Sequence, residues 1–154
     1  MRMMNLLALA ALAFALGATP ALAAGQTSTK DREAQYFKEG LAQVEDGDYE
    51  GAVAALEKAV KNDPKNANAY NFLGFSYRKL GDYDRAFENY ERALALDPEH
   101  LGANEYIGEA YLETGNLAKA EEHLAVLERL CPEGCEERDD LTQAVIAYKT
   151  NHGG

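Results

Sequence analysis

Residues 67–100 read ANAYNFLGFSYRKLGDYDRAFENYERALALDPEH, and two apolar stripes within them decide the fold. Ala69, Tyr70, Leu73, Tyr77 and Leu80 recur at three- and four-residue steps. After a break, Ala86, Phe87, Tyr90, Ala93 and Leu94 do so again. This spacing puts the apolar residues on one face of a helix in each half. Gly81-Asp82 is the break. A glycine reaches the positive φ that ends one helix, and an aspartate side chain accepts from the bare amides that open the next. Asp97-Pro98 ends the second helix, because the residue before a proline is pushed out of the helical region. The segment is a hairpin of two helices.

The same columns recur one row above and one row below. Rows starting at Glu33, Ala67 and Leu101 align Gly40, Gly74 and Gly108; Gly47, Gly81 and Gly115; Ala52, Ala86 and Ala120; and Pro64, Pro98 and Pro132. A fixed period of this size marks a solenoid in which each hairpin covers the next. The small columns require close helix contact, with Gly74 meeting Ala86, Gly40 meeting Ala52 and Gly108 meeting Ala120. After Gly134 the period fails. Leu141, Ala144, Val145 and Tyr148 then predict one further helix whose stripe closes the stack. Its first turn carries Glu136, Glu137, Asp139 and Asp140, where the helix dipole favours negative charge.

Tyr70, Leu73, Gly74, Tyr77, Gly81, Tyr83, Ala86, Tyr90, Ala93 and Pro98 give the middle row a specific resemblance to the tetratricopeptide repeat. The resemblance covers Glu33 to Gly134. It implies an all-α solenoid of three repeats (33–66, 67–100, 101–134) followed by a capping helix at 135–150. Row one departs from the pattern. Glu39 and Gln43 stand in its leucine and tyrosine columns, while Phe37, Leu41 and Val44 form a stripe one step round, which suggests a first helix rotated about its axis. Row three has Asn104 in its first aromatic column.

The resemblance also implies a function. In this family the first helices of successive repeats line a concave groove that holds a peptide or protein segment. By column the groove comprises Phe37, Leu41 and Val44; Asn68, Asn71, Phe75 and Arg78; and Glu105, Glu109 and Leu112. Phe75 would anchor an apolar side chain and Asn71 would bond a peptide backbone. The basic set with which some members clamp a terminal carboxylate is missing, since Phe37, Leu41 and Tyr106 occupy its positions.

The ends and the composition narrow the reading further. Arg2, the apolar run Leu6–Leu16 and Ala21-Leu22-Ala23 read as a secretory leader over residues 1–23, cut after Ala23, with residues 24–32 as a flexible lead-in. No cysteine near the cut offers a lipid attachment site. The expected mature chain is periplasmic or secreted, soluble, and not inserted in the membrane.

With a formal net charge of −11 over the full sequence, the chain is a poor partner for nucleic acid, which is bound through lysine and arginine. Cys131 and Cys135 are the two cysteines, and an oxidising compartment favours a structural disulfide between them. A redox pair normally has two intervening residues rather than three, and free thiols or a metal pair are further alternatives. His100, His123 and His152 have no ligand spacing, and Ser28 and Ser76 lack the surroundings of a nucleophile. No cofactor and no catalysis are expected. Thiol-redox or metal handling by the cysteines, and self-association as a structural protein, are the rival readings. The expected assembly is a monomer or a weak homodimer.

Overall fold

The computed structural model describes residues 29–153. Seven helices follow in order: α1 (Thr29–Asp46), α2 (Tyr49–Asn62), α3 (Ala67–Lys79), α4 (Tyr83–Leu96), α5 (Leu101–Glu113), α6 (Leu117–Leu130) and α7 (Glu136–His152). Among the described residues there is no strand. The chain is an all-α solenoid in which α1/α2, α3/α4 and α5/α6 pair and stack, with α7 closing the end. The expected leader, residues 1–23, and residues 24–28 of the expected lead-in lie outside the described residues. Residues 29–32, expected in the lead-in, instead form the first turn of α1, and α7 extends through Asn151 and His152, which were expected to fray.

Each hairpin turn is built by the same local chemistry. Gly47, Gly81 and Gly115 have φ of 76°, 78° and 82°. The amides of Asp48, Asp82 and Asn116 reach back to the carbonyls of Gln43, Tyr77 and Tyr111 at 2.9, 2.9 and 2.7 Å. These long back-bonds satisfy carbonyls that a helix end leaves bare. The side chains of the same three residues accept from Gly51, Arg85 and Lys119 amides at 3.0, 3.2 and 3.2 Å, opening the next helix. One residue pair thus ends one helix and starts another.

Between repeats the turn is closed by Asp63 and Asp97, whose carboxylates accept from the Lys65 and Glu99 amides at 3.0 and 3.1 Å. Row three carries Cys131 in that column, and a thiol cannot replace the carboxylate. Cys131 lies at disulfide distance from Cys135, with Cα atoms 6.0 Å apart. Arg138 of α7 adds Nη1 bonds to the carbonyls of Cys131 and Pro132 at 3.1 and 3.0 Å. The disulfide and this arginine hold α7 where the other turns use an aspartate. Cys135 caps α7 without a side-chain bond, so the acidic first turn of Glu136, Glu137 and Asp139 is its favourable feature.

The core is continuous along the stack. Ala52, Leu56, Leu73, Tyr77, Ala86, Tyr90, Ile107 and Ala110 form one cluster, and Leu112, Ala120, Leu127, Leu141 and Val145 a second under α7. The expected stripe on α7 packs here, with Ala144 and Tyr148 flanking Leu141 and Val145.

In all three rows the atoms nearest the glycine belong to a side chain larger than the expected alanine. A Cβ on Gly74 would lie 2.7 Å from the Tyr90 ring and 3.1 Å from the Ala86 carbonyl oxygen, as a tight α3/α4 crossing requires. At Gly40 the nearest atoms belong to Leu56, one turn beyond Ala52. At Gly108 they belong to Leu141 of α7 and not to Ala120. Leu141 falls in the column of Leu73 and Ile107, so the closing helix enters as the first helix of a fourth row would.

Row one is not rotated. Gly40 is buried against α2 in the same sense as Gly74 against α4, and Glu39 is exposed because no helix precedes α1 among the described residues. Phe37 and Val44 pack on the first cluster from that orientation. In row three, Asn104 fills its aromatic column by bonding: it donates to the His100 carbonyl at 3.0 Å, and its Oδ1 pairs with His123 Nδ1 at 3.0 Å.

Two outcomes follow from this packing. Ala86→Leu, at a position with no exposed surface, lowers unfolding free energy in urea by about 1–3 kcal/mol through overpacking. A midpoint unchanged within error would mean that the α3/α4 contact is wrongly drawn. Closing the short Cys131–Cys135 loop is worth on the order of 2 kcal/mol. Reduction, read as a two-dalton mass gain, is therefore expected to raise amide exchange at Leu141 and Val145 before it does so at Leu73.

Candidate functional site

Curvature defines the face that matters. α1 touches α3, α3 touches α5 and α5 touches α7, whereas α2, α4 and α6 make no such contacts with one another. The first helices of the hairpins are thus closer together along the stack, and they line its concave side.

Phe75 on α3 is the centre of this face. It is half-buried, with Tyr49 at 6.1 Å edge-on and Tyr106 at 4.9 Å tilted, so three repeats contribute to one aromatic strip. Lys79 lies 5.1 Å over its ring. Phe37 meets Phe72 at 6.2 Å, and Leu41 is half-buried beside it in sequence. Asn68 is exposed. Its Oδ1 lies 2.9 Å from His100 Nε2, and His100 Nδ1 accepts from the Ala103 amide, which puts the ring proton on Nε2. Burial lowers the His100 pKa and keeps that ring neutral.

Three residues expected to be open to a ligand are buried in the wall of the face. Arg78 has a side chain only 3% exposed, held by Glu109 at 2.7 Å and Glu113 at 2.9 Å. Its guanidinium also lies 5.4 Å from the Phe75 ring and 5.8 Å from the Tyr106 ring. Desolvation opposes its charge, but the Tyr90 hydroxyl, Glu109 and Glu113 outweigh that, and its pKa rises. Arg78 is a staple between α3 and α5. Asn71 is buried, and its Oδ1 has no hydrogen-bond partner among the described residues. A buried acceptor without a donor is costly, and burial closes it to a ligand on the concave face.

Glu105 is buried as well. Its pKa is pushed up to about 8, first by desolvation and then by Glu109, Asp140 and Glu137, with Arg78 pulling the other way. Tyr106 is raised by burial and by Glu105 and Glu109. Sequence reasoning missed Tyr49 and Glu113 as parts of this face. Tyr49 opens a second helix, and only the turn geometry brings it beside Phe75.

The architecture is that of a helical-repeat solenoid whose first helices line one face. A tetratricopeptide repeat model matches residues 75–134 and a second model of the repeat matches residues 40–81. The chain belongs to the tetratricopeptide repeat family.

Solved structures agree on the fold. The TPR2B domain of yeast Sti1 in a pHsp70 complex superposes with a TM-score of 0.72 at 20% identity, covering 79% of this chain and 98% of that one. The Yersinia enterocolitica type III secretion chaperone SycD, in complex with a peptide of the translocator YopD, gives 0.70 at 24%, covering 79% and 95%. The second TPR domain of human RPAP3 in complex with an HSP70 peptide gives 0.70 at 20%, covering 79% and 98%.

The raised pKa of Glu105 sets a pH dependence. Its folded value lies above the ordinary 4.5, so its contribution to stability is fully present below about pH 4.5 and is lost as pH rises to about 8. Glu105→Gln removes this dependence. Urea midpoints from pH 4.5 to 9 should show the variant gaining on the parent chain up to about pH 8 and holding a constant lead above it. Parallel curves would contradict the burial of this carboxyl.

Proposed function

We propose that this chain is a non-catalytic protein-interaction module that holds a peptide or protein segment along the concave face of α1, α3 and α5. The observation that carries the reading is the half-open Phe75 between Tyr49 and Tyr106. An aromatic anchor fixes one apolar side chain of a bound segment. The bound peptides named for SycD and human RPAP3 support it by analogy of fold. The expected secretory leader over residues 1–23 supports an exported adaptor, periplasmic or secreted.

Peptides selected from a random library on the full mature chain test the reading. Phe75→Ala is expected to weaken the selected peptides about tenfold or more in fluorescence anisotropy, as loss of a central aromatic anchor does. Arg78 is unsuitable as a probe, since removing it strands Glu109 and Glu113. Affinities within twofold of the parent, in a variant that melts normally, would remove the groove reading. N-terminal sequencing of exported protein is expected to begin at Ala24, and a retained leader would overturn the export assignment.

A further inference from the structure

α7 does more than cover the end of the stack. Between it and α5 lies a cavity of about 260 Å³. α5 contributes Glu109, Leu112 and Glu113, and α7 contributes Ala144, Tyr148 and His152. The Tyr148 and His152 rings stack face to face at 4.1 Å on one side of the cavity. Leu112 and Ala144 supply apolar surface, while Glu109 and Glu113 keep 26% and 40% of their side chains exposed.

The charges at this cavity do not balance. Arg78 is the cation shared by both carboxylates, taking one oxygen of each from the buried side, while the Tyr83 hydroxyl donates to the second oxygen of Glu113 at 3.2 Å. One guanidinium against two carboxylates leaves an excess negative charge, and no lysine or arginine lines the cavity. The nearby Lys149 of α7 is engaged elsewhere, with Glu121 at 2.6 Å. An apolar occupant would strip water from the carboxylates without replacement, and an anion would be repelled.

Arg78 also displays what these carboxylates accept: a guanidinium between acidic oxygens and the Phe75 and Tyr106 rings. The cavity repeats that environment on the outer side of the same two carboxylates, with Tyr148 and His152 as the rings.

We propose that this cavity receives a lysine or arginine side chain from the segment bound along the concave face. The cationic head sits at Glu109 and Glu113, and the aliphatic stem lies over Leu112 and Ala144 against the Tyr148 ring. Long basic side chains are suited to this, since the stem packs on apolar surface while the head stays at the rim. The inference rests on the groove reading and gives its partner a chemistry: a basic residue at a fixed distance from the apolar residue that meets Phe75. The acidity of the whole chain, −11, adds long-range attraction for such a partner.

The test uses Nα-acetyl-arginine amide, with the uncharged isostere Nα-acetyl-citrulline amide as control, titrated into the full mature chain by NMR. Saturable shifts at the Leu112, Ala144 and Tyr148 amides are expected with arginine and not with citrulline. Glu113→Gln and Tyr148→Leu should each weaken binding roughly three- to tenfold, and added salt should weaken it further.

Equal shifts with citrulline, no saturation, or binding indifferent to both cavity variants would overturn the proposal. The two readings fail separately. Library peptides that need Phe75 but show no preference for a basic residue would leave the groove standing and remove the cation site. Arginine bound in the cavity, with no peptide sensitive to Phe75, would remove the groove instead.

Discussion

The structure depends on three places where a helix has no Cβ because a neighbour's side chain fills the space. Leu56 sits against Gly40, Tyr90 against Gly74 and Leu141 against Gly108, each at a distance that a methyl group would violate. Helices brought this close bury their stripes completely, and Leu56, Tyr90 and Leu141 are all fully buried. Pairs of short helices have little stability alone, so the stack exists only because each pair covers the next. Leu141 extends the contact into α7, which makes the closing helix an integral part of the solenoid.

That close packing has an electrostatic consequence on the concave side. α3 and α5 approach closely enough to bury Arg78, and a buried guanidinium needs partners within bonding distance. Glu109 and Glu113 supply them, one turn apart on α5, so the ion pairs fix the relative position of repeats two and three. The same compaction buries Glu105 beside Glu109, Glu137 and Asp140, which keeps its carboxyl protonated at neutral pH. The groove is less an open trough than a narrow aromatic strip with a charged wall, and its far end is shaped by α7.

The turn before α7 shows how one substitution redirects a repeat. The Asp63 and Asp97 carboxylates each add one side-chain hydrogen bond to the backbone bond that closes the turn. Cys131 cannot, and the disulfide with Cys135 and the Arg138 bonds to the Cys131 and Pro132 carbonyls replace it. Held in this way, α7 lies against α5 as well as α6, and the cavity lined by Tyr148 and His152 exists because of that placement.

Helix boundaries, turns and the repeat were legible in the sequence because they are set by short-range chemistry. Gly81-Asp82 ends and caps through atoms a few residues away, so its reading needs no knowledge of the rest. The placement of Phe75 on the face lined by α1, α3 and α5 was legible by column for the same reason. The partner of Gly108, the unrotated α1, the burial of Arg78 and Glu105, and the part played by Tyr49 and Glu113 were not. Each depends on how far one helix pair stands from the next and on where α7 comes to rest. Periodicity says which face of a helix is apolar, but the distance between faces is decided only when side chains from separate rows compete for the same volume.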